Sequence, residues 1–261
     1  MPTIDYLGKT VELTIEEYNK IMVQCPNLTY ITKSGHKVKG SDSTLLPISC
    51  PTISNELGFY KCLKTCSSST SKNCTLRLNF EKNSTIVLKD NNYSSDFSNL
   101  NVSIKSLNNI FGTLKISGQG ASAPPGHWWC KGLTFNSLDI SGVNIYAHDV
   151  MGCPALRILA KNTIKPGLTI TNGNHKFYNN DNTSGGPIYV EHSDISLINT
   201  IMEFTNTSPA TRPPDILYPS TIWAGNGTLS IEGKKTNLKF ISNKGGVIFT
   251  KNLIINDGNI Y

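Results

Sequence analysis

The chain carries the segment Phe177-Tyr-Asn-Asn180 followed by Gly185-Gly-Pro-Ile188, and it repeats the same order at Phe240-Ile-Ser-Asn243 and Gly245-Gly-Val-Ile248. Strand-length pieces of alternating apolar and polar residues surround both copies, without the spacing of an amphipathic helix. A motif repeated with fixed internal order is typical of a chain that stacks copies of one structural unit. The repeat therefore predicts an all-β solenoid of short strands.

Each residue type in the motif has a predicted place in a coil of this solenoid. Phe177 and Phe240 are expected to point inward and stack on equivalent positions of neighbouring coils. Asn180 and Asn243 are expected at corners, because Asn tolerates left-handed dihedrals and its amide can bond the backbone. The motif glycines are expected to turn the chain with positive φ, and the motif isoleucines to return to the core. These glycines and isoleucines are Gly185, Gly186, Gly245, Gly246, Ile188 and Ile248.

This motif pair resembles the repeats of the chlamydial polymorphic membrane proteins, autotransporter adhesins defined by Phe-x-x-Asn and Gly-Gly-Ala-Ile tetrapeptides. Here the third position of the second tetrapeptide is Pro187 in one copy and Val247 in the other. A degenerate third copy lies at Phe204-Thr-Asn206, where the Asn comes one residue early and no Gly-Gly follows. The resemblance covers residues 165–261 and extends to the rest only as general β-solenoid character.

The resemblance implies a right-handed parallel β-helix with loop insertions, displayed on the outer membrane of a bacterial cell or secreted after processing. The implied function is adhesion, through binding of a host cell-surface protein or glycan by the β-helix and its loops. The motif residues either build the fold or contact the receptor directly. Membrane contact is implied only through a translocator barrel outside this sequence. Further coils are expected as well, because the segment Leu253–Tyr261 looks like a coil just beginning.

Two regions are predicted along the chain. Residues 1–75 form an N-terminal cap and a Cys-rich, loop-dominated region, and residues 76–261 form the β-helix. The cap contains a short helix over Thr14–Met22, where Thr14 and Glu17 have the spacing of a capping box. We expect this helix to cover the end of the solenoid, because terminal units of a repeat need a non-repeating cover.

Seven cysteines are present, and most of them lie in the predicted cap region. This density is typical of local disulfides in an oxidising compartment. A bridge among Cys62, Cys66 and Cys74 is favoured, because the segment Ser67–Ser71 offers a flexible loop to close. Zinc ligation by Cys62-x-x-x-Cys66 is disfavoured, since no second pair follows at ligand spacing. The odd count leaves a free thiol or an intermolecular partner. The candidates are Cys25, Cys50, Cys62, Cys66, Cys74, Cys130 and Cys153.

Composition and charge argue against several kinds of partner. The net charge is +6, from 24 Lys and Arg against 18 Asp and Glu, and these charges are dispersed along the chain. Because no basic run is interleaved with aromatics, we expect no nucleic-acid partner. No apolar stretch is long enough to span a bilayer. No phosphate-binding glycine loop or dinucleotide fingerprint occurs, so no cofactor and no metal are expected.

Two insertions between predicted strands are candidate recognition loops, because loops that leave a rigid scaffold commonly carry binding residues. The first contains the pair Trp128-Trp129, which either packs over the side of the solenoid or forms an exposed aromatic anchor. The second is Pro-rich and contains Arg212 and Tyr218.

Three rival classes remain to be weighed against adhesion. A polysaccharide-active β-helix enzyme would need clustered carboxylates, and the candidates are Asp139, Asp149, Glu191 and Asp194, with His148 beside Asp149. Catalysis is not expected, because adjacent His-Asp pairs are usually surface residues. A purely structural surface scaffold is the second alternative. Eight Asn-x-Ser/Thr sequons suggest a secreted glycoprotein as the third, but such sequons arise readily by chance in a chain rich in these residues.

Overall fold

A computed structural model gives the structure of the chain. It describes residues 3–6, 9–24, 29–31, 37–39, 48–81, 84–89, 96–107, 110–118, 132–151, 153–161, 166–182, 186–209 and 220–261. Parallel β-sheets dominate these residues, and two helices accompany them. The sheets stack into a parallel β-helix, which confirms the predicted all-β fold class.

The N-terminal part contains a small antiparallel sheet that the sequence did not predict. Its four strands lie in the order β2-β1-β3-β4. They are β1 (Thr3–Tyr6), β2 (Lys9–Glu12), β3 (Thr29–Ile31) and β4 (Lys37–Lys39).

Helix α1 (Ile15–Gln24) follows β2, and it begins at the predicted cap. The Glu17 backbone N–H donates to Thr14 Oγ1 at 3.1 Å, and the Thr14 N–H donates to Glu17 Oε2 at 2.8 Å. This reciprocal pair is a capping box. The Thr14 backbone N–H and hydroxyl both donate to the Glu17 carboxyl, and these two bonds lower its pKa from its usual value. The predicted helix and its start are therefore confirmed.

Helix α2 (Glu56–Ser68) lies in the segment that we expected to be loop-dominated, so that expectation was wrong. Asn55 caps the helix, because its Oδ1 accepts from the Gly58 N–H at 2.9 Å. The buried residues are spaced at 59, 62, 63 and 66, which is one face of a helix. Tyr60 stacks at 6.4 Å on Phe97 of the first coils. This helix therefore covers the interior at the N-terminal end, the role expected of α1.

Each complete coil of the solenoid contributes one strand to each of three faces. Face 1 contains β12 (Leu156–Ile158), β16 (Ile188–Val190), β20 (Ser220–Trp223) and β23 (Gly246–Phe249). Face 2 contains β5 (Ile48–Ile53), β6 (Asn73–Leu78), β13 (Leu168–Thr171), β17 (Ile195–Ile198), β21 (Thr228–Glu232) and β24 (Asn252–Asn256). Face 3 contains β7 (Thr85–Leu88), β9 (Thr113–Ser117), β11 (Asn144–His148), β14 (Asn174–Tyr178), β18 (Ile201–Thr205), β22 (Asn237–Ile241) and β25 (Asn259–Ile260).

Two long strands span faces 1 and 2 together, β8 (Asp96–Ser106) and β10 (Leu133–Ser141). The first half of β10 pairs with β12 and its second half with β13, so the two faces separate after this strand. A short parallel pair lies outside the faces, β15 (Asp181–Asn182) with β19 (Ser208–Pro209). The parallel pairing already starts between β5 and β6, ahead of the predicted boundary at residue 76.

The core is a set of apolar columns that run through the coils. On face 2, Leu138, Leu168, Ile195 and Leu229 occupy equivalent positions, and each is at most 2% exposed. Burial alternates along these strands, since neighbouring side chains point to opposite sides of a sheet. The alternation seen in the sequence is therefore the inward and outward pattern of the coils.

The connections from face 3 to the next face 1 strand form one edge of the solenoid, which we call the loop edge. Residues 118–132 link β9 of face 3 to β10, and residues 206–219 link β18 of face 3 to β20. Both candidate recognition loops therefore return to the solenoid beside face 1.

Candidate functional site

The motif phenylalanines are interior residues. Phe177 is fully buried and stacks on Phe204 with ring centroids 4.9 Å apart, and Phe204 stacks on Phe240 at 5.1 Å. The predicted inward stacking is confirmed, with Phe204 between the two motif residues. These rings bind neighbouring coils to each other.

The motif asparagines bond the backbone of the preceding coil through both ends of the amide. Asn180 Nδ2 donates to the Ala147 carbonyl at 3.2 Å, and its Oδ1 accepts from the Val150 N–H at 3.1 Å. Asn243 makes the same pair, to the Phe204 carbonyl at 3.0 Å and from the Thr207 N–H at 2.8 Å. Each amide thus satisfies a backbone donor and a backbone acceptor at the corner of the coil below.

The left-handed corner position is not the motif Asn, and that part of the prediction was wrong. The residue before it has positive φ, namely Asn179 at 55° and Ser242 at 50°. Corresponding corners have Asp149 at 54° and Asn206 at 52°. Short polar residues tolerate this conformation best after glycine. The motif Asn can therefore keep an ordinary backbone and use its side chain for the bonds between coils.

The glycines of the motif serve two purposes. Gly245 has φ of 84°, so its predicted positive-φ turn is confirmed. Gly186 has no positive φ, and a Cβ there would lie 2.1 Å from the backbone oxygens of Ser220 and Thr221. Close approach of the next coil therefore requires glycine at this position. Gly246 also lacks positive φ and pairs with Ser220.

The motif isoleucines return to the core as predicted. Ile188 is fully buried, and Ile248 is partly buried against the same core. Between them in the column lies Ile222, preceded by Ser220 and Thr221. The coil that contains Phe204 therefore has a residue at each position of the motif. Thr207 occupies the Asn position, and Ser-Thr-Ile replaces Gly-x-Ile. Its spacing from Phe204 is obscured by the insertion at 210–219.

The outer side of face 1 carries a column of aromatic side chains that the sequence did not predict. Tyr189 and Trp223 are stacked in nearly parallel planes, with ring centroids 4.3 Å apart and an interplanar angle of 4°. Trp223 stacks on Phe249 at 5.8 Å, and the Arg157 guanidinium lies 5.7 Å from the Tyr189 ring. All three rings are partly buried. We call these four residues the aromatic column.

Charged groups border the aromatic column at one end. Arg157 Nη2 lies 3.9 Å from Glu191 Oε2, and His192 Nε2 lies 3.8 Å from Glu191 Oε1. Burial, with the nearby Glu191 carboxylate, raises the pKa of the Tyr189 hydroxyl above its usual value. The Tyr189 hydroxyl therefore stays protonated at neutral pH and can donate a hydrogen bond.

The candidate catalytic acids are held by separate partners. Asp139, on face 2, accepts from Ser103 Oγ at 3.0 Å and lies 3.9 Å from Lys105 Nζ. Asp149, after face 3, lies 2.7 Å from His148 Nδ1 and accepts from Asn179 Nδ2 at 2.8 Å.

Two opposing effects act on the Asp149 carboxyl. Burial would raise its pKa, but the bonds from His148 and Asn179 outweigh it, so the pKa of Asp149 is lowered. Asp194 Oδ1 accepts from the Thr228 N–H at 2.8 Å, which bonds the coils at a corner. Each of the three aspartates is engaged within its own coil or with a neighbouring one, and Asp139 lies on a face 2 strand whereas Asp149 follows a face 3 strand.

The four cysteines of the cap that the structure describes are paired as disulfides. Cys50 is bonded to Cys62, and Cys66 to Cys74. The favoured bridge among Cys62, Cys66 and Cys74 is thus confirmed as Cys66–Cys74. Cys153 is disulfide-bonded as well.

Several predicted site residues lie outside the described residues. They are Cys25, Trp128, Trp129, Cys130, Gly185, Arg212 and Tyr218. Their roles stay predictions.

No family model, no curated protein and no solved structure matches the chain. No helix in the described residues is long and apolar enough to cross a membrane. The fold defines the chain as a parallel β-helix with a helical, disulfide-bonded cap. Its functional class therefore has to be inferred from its own surface.

Proposed function

We propose that this β-helix is an adhesive passenger, displayed on a bacterial cell surface or released from it. It binds a host cell-surface protein or glycan through the aromatic column and the neighbouring loop edge. The proposal keeps the resemblance to the chlamydial polymorphic membrane proteins as its biological setting. The observation that carries it is the outward-facing column of stacked aromatic rings on face 1.

The motif residues are buried, and this burial is an argument for a receptor-binding surface elsewhere on the molecule. Phe177 and Asn180 are each at most 1% exposed, and their contacts are with neighbouring coils. A receptor could reach such side chains only after the coils separate. The repeated motifs therefore act as structural residues, and recognition belongs to variable positions on the outside.

The position of the aromatic column supports its role in binding. Tyr189 and Trp223 lie on the face 1 strands β16 and β20, and β20 is the strand that follows the Pro-rich candidate loop in the sequence. Aromatic and Arg side chains dominate the energetic centres of protein interfaces. The rings stack on one another, so a partner meets mainly their edges and the Tyr189 hydroxyl. A flat protein surface fits these edges better than a sugar ring, which stacks on open aromatic faces.

The enzyme alternative has less support. A glycosidase needs two carboxyl groups on either side of one bond, whereas Asp139 and Asp149 follow strands of different faces and have separate partners. The adhesive function therefore accounts for more of the surface.

The test is binding of the purified chain to cultured epithelial cells, with Trp223→Ala as the variant and Tyr178→Ala as the matched control. Tyr178 is also an outward aromatic, 44% exposed, but it lies on face 3. We expect saturable binding by the wild type and by Tyr178→Ala, and at least about tenfold weaker binding by Trp223→Ala. Circular dichroism and melting temperature confirm that both variants are folded.

Two results would overturn this assignment. Equal binding by Trp223→Ala and wild type would show that the aromatic column is not part of the binding interface. Absence of saturable binding by the folded wild-type chain would contradict adhesion by these residues and leave a scaffold role.

A further inference from the structure

We propose that the cysteines of the cap form a second kind of site: when the two disulfides are reduced, Cys50, Cys62, Cys66 and Cys74 bind one zinc ion. This inference does not depend on the adhesive function. The same four cysteines thus have two chemical states. They form two disulfides under oxidising conditions and a zinc site with four thiolate ligands under reducing conditions.

The sulfur atoms are already gathered at one place. The Sγ atoms of Cys50, Cys62 and Cys66 all lie within 4.8 Å of one another, and Cys74 Sγ is bonded to Cys66 Sγ. In a tetrahedral zinc site with Zn–S bonds of about 2.3 Å, neighbouring sulfurs are about 3.8 Å apart. Three of the four sulfurs are therefore already near this spacing, and the Cys74 side chain has to turn towards Cys50 and Cys62 once its bond to Cys66 is opened.

The backbone supplies the two ligand pairs that such a site needs. Cys62 and Cys66 are one turn apart on α2, and both are nearly fully buried. Cys50 and Cys74 lie on β5 and β6, which pair in parallel, with Cys74 opposite Ile48. The sequence argued against zinc because no second pair was visible beside Cys62-x-x-x-Cys66. The pairing of β5 with β6 provides that second pair.

Interactions other than the disulfides hold this arrangement. Phe59 and Leu63 are fully buried on the same face of α2, and the helix starts at the Asn55 cap. Tyr60 packs on Phe97 of the first long strand. The helix and the two strands therefore remain positioned when the sulfur–sulfur bonds are opened.

The chemistry balances with a dithiol as the reductant. Two dithiol molecules supply four electrons and four protons, each closes to its own disulfide, and the two protein disulfides become four thiols. Zn²⁺ then binds the four sulfurs as thiolates, and four protons leave to solvent. A chain is made in a reducing compartment before any export, where such a site is the stable form of a cysteine cluster.

The experiment reduces the full chain, removes the reductant anaerobically and titrates it with Co²⁺ and then Zn²⁺. We expect about one equivalent of Co²⁺ with the absorption bands of tetrahedral tetrathiolate coordination, displaced by Zn²⁺. Zinc should raise the melting temperature of the reduced chain and protect the four cysteines from alkylation. Cys62→Ser should weaken zinc binding by at least about tenfold, because even outer-shell changes cost that much.

Cys153→Ser is the matched control, because Cys153 is a reducible cysteine outside the cluster. It should bind zinc as the wild type does. Three outcomes would each overturn the proposal: no stoichiometric metal binding by the reduced wild type, wild-type zinc affinity in Cys62→Ser, or a Cys74→Ser spectrum identical to that of the wild type. The wild-type titration keeps the proposal testable even where a serine variant fails to fold.

Discussion

The amide of the motif Asn is the most informative side chain of this solenoid at the scale of single residues. In Asn180 and Asn243 it bonds one carbonyl and one N–H of the coil below. In both cases the N–H lies past the end of a face 3 strand and the carbonyl lies within that strand, so the amide spans the corner between them. This position needs one hydrogen-bond donor and one acceptor, and the planar amide of Asn supplies both.

Asn180→Ala should destabilise the chain by about 1–3 kcal/mol, because it removes the buried amide that bonds the Val150 N–H and the Ala147 carbonyl. Urea unfolding followed by circular dichroism measures this change. Asn174→Ala is the control, since Asn174 is an exposed residue of β14, the strand just before Asn180, and it should change stability by less than about 0.5 kcal/mol. Equal effects of the two substitutions would contradict the assigned role.

His175 is a second informative residue, because it stands in an apolar column between Ile145 and Met202. Its Nδ1 accepts from the Ile145 N–H at 3.2 Å, and its Nε2 lies 3.3 Å from the Asn172 carbonyl. The ring is therefore neutral, with its proton on Nε2. Burial lowers the pKa of His175 to about 4, although the bond to the Asn172 carbonyl acts in the opposite direction.

Because the pKa of His175 is about 6.5 in the unfolded chain and about 4 in the folded one, stability should fall as pH is lowered. The stabilisation that comes from the neutral, buried His175 is fully present above pH 6.5. It is lost as the pH falls towards 4, because the unfolded chain takes up its proton at a higher pH than the folded chain does. The loss amounts to about 3 kcal/mol over this window. Denaturant unfolding between pH 7 and pH 4 measures it.

His175→Gln should remove most of this pH dependence, since Gln does not titrate and can still accept a hydrogen bond. His192→Gln is the control, because the His192 side chain is 66% exposed, and it should keep the wild-type profile. A wild-type profile in His175→Gln would show that other groups cause the loss of stability.

At the scale of elements, the phenylalanine ladder joins three consecutive coils of face 3. Phe204 is fully buried with a stacked ring on each side, whereas Phe240 is only partly buried. The free energy that each ring contributes depends on how much of it is covered by neighbouring coils.

Phe204→Ala should therefore cost about 3–5 kcal/mol, and Phe240→Ala clearly less. Urea unfolding of both variants measures the two losses under the same conditions. The size of the side chain removed is identical, so the comparison isolates the position in the ladder. A loss in Phe240→Ala as large as that in Phe204→Ala would contradict the stacking argument.

The two helices of the cap differ in how well the sequence predicted them. The capping box of α1 is local, so Thr14 and Glu17 were sufficient to predict where that helix begins. The apolar stripe of α2 includes Cys62 and Cys66, and treating these residues only as cysteines obscured a regular helical spacing. Counting a buried Cys as an apolar residue would have revealed this helix.

At the scale of the whole molecule, the coils end in an open apolar surface. Leu253 and Ile255 of β24 continue inward-facing core columns, yet they are 46% and 47% exposed. Within the described residues, β24 pairs with β21 only, so one side of the strand carries unpaired backbone groups. Such an edge is a template for pairing with another chain.

We therefore expect concentration-dependent self-association of this chain, measured by light scattering. The double variant Leu253→Lys with Ile255→Lys should shift the chain towards monomer, because charges on the open end oppose stacking. Ile201→Lys is the control, since Ile201 is 43% exposed on the side of the solenoid. A strictly monomeric wild type at high concentration would contradict the prediction.

The parallel β-helix and the structural roles of most motif residues were determined by the sequence alone. These features are repeated locally: Phe points inward, the Asn amide bonds the backbone, and Ile returns to the core in both copies of the motif. The aromatic column and the cysteine cluster were decided only by the tertiary structure. Tyr189, Trp223 and Phe249 lie at unequal separations along the chain, because the connections between coils differ in length. Only the register of the stacked strands brings such residues together, and that register depends on the packing of the whole core.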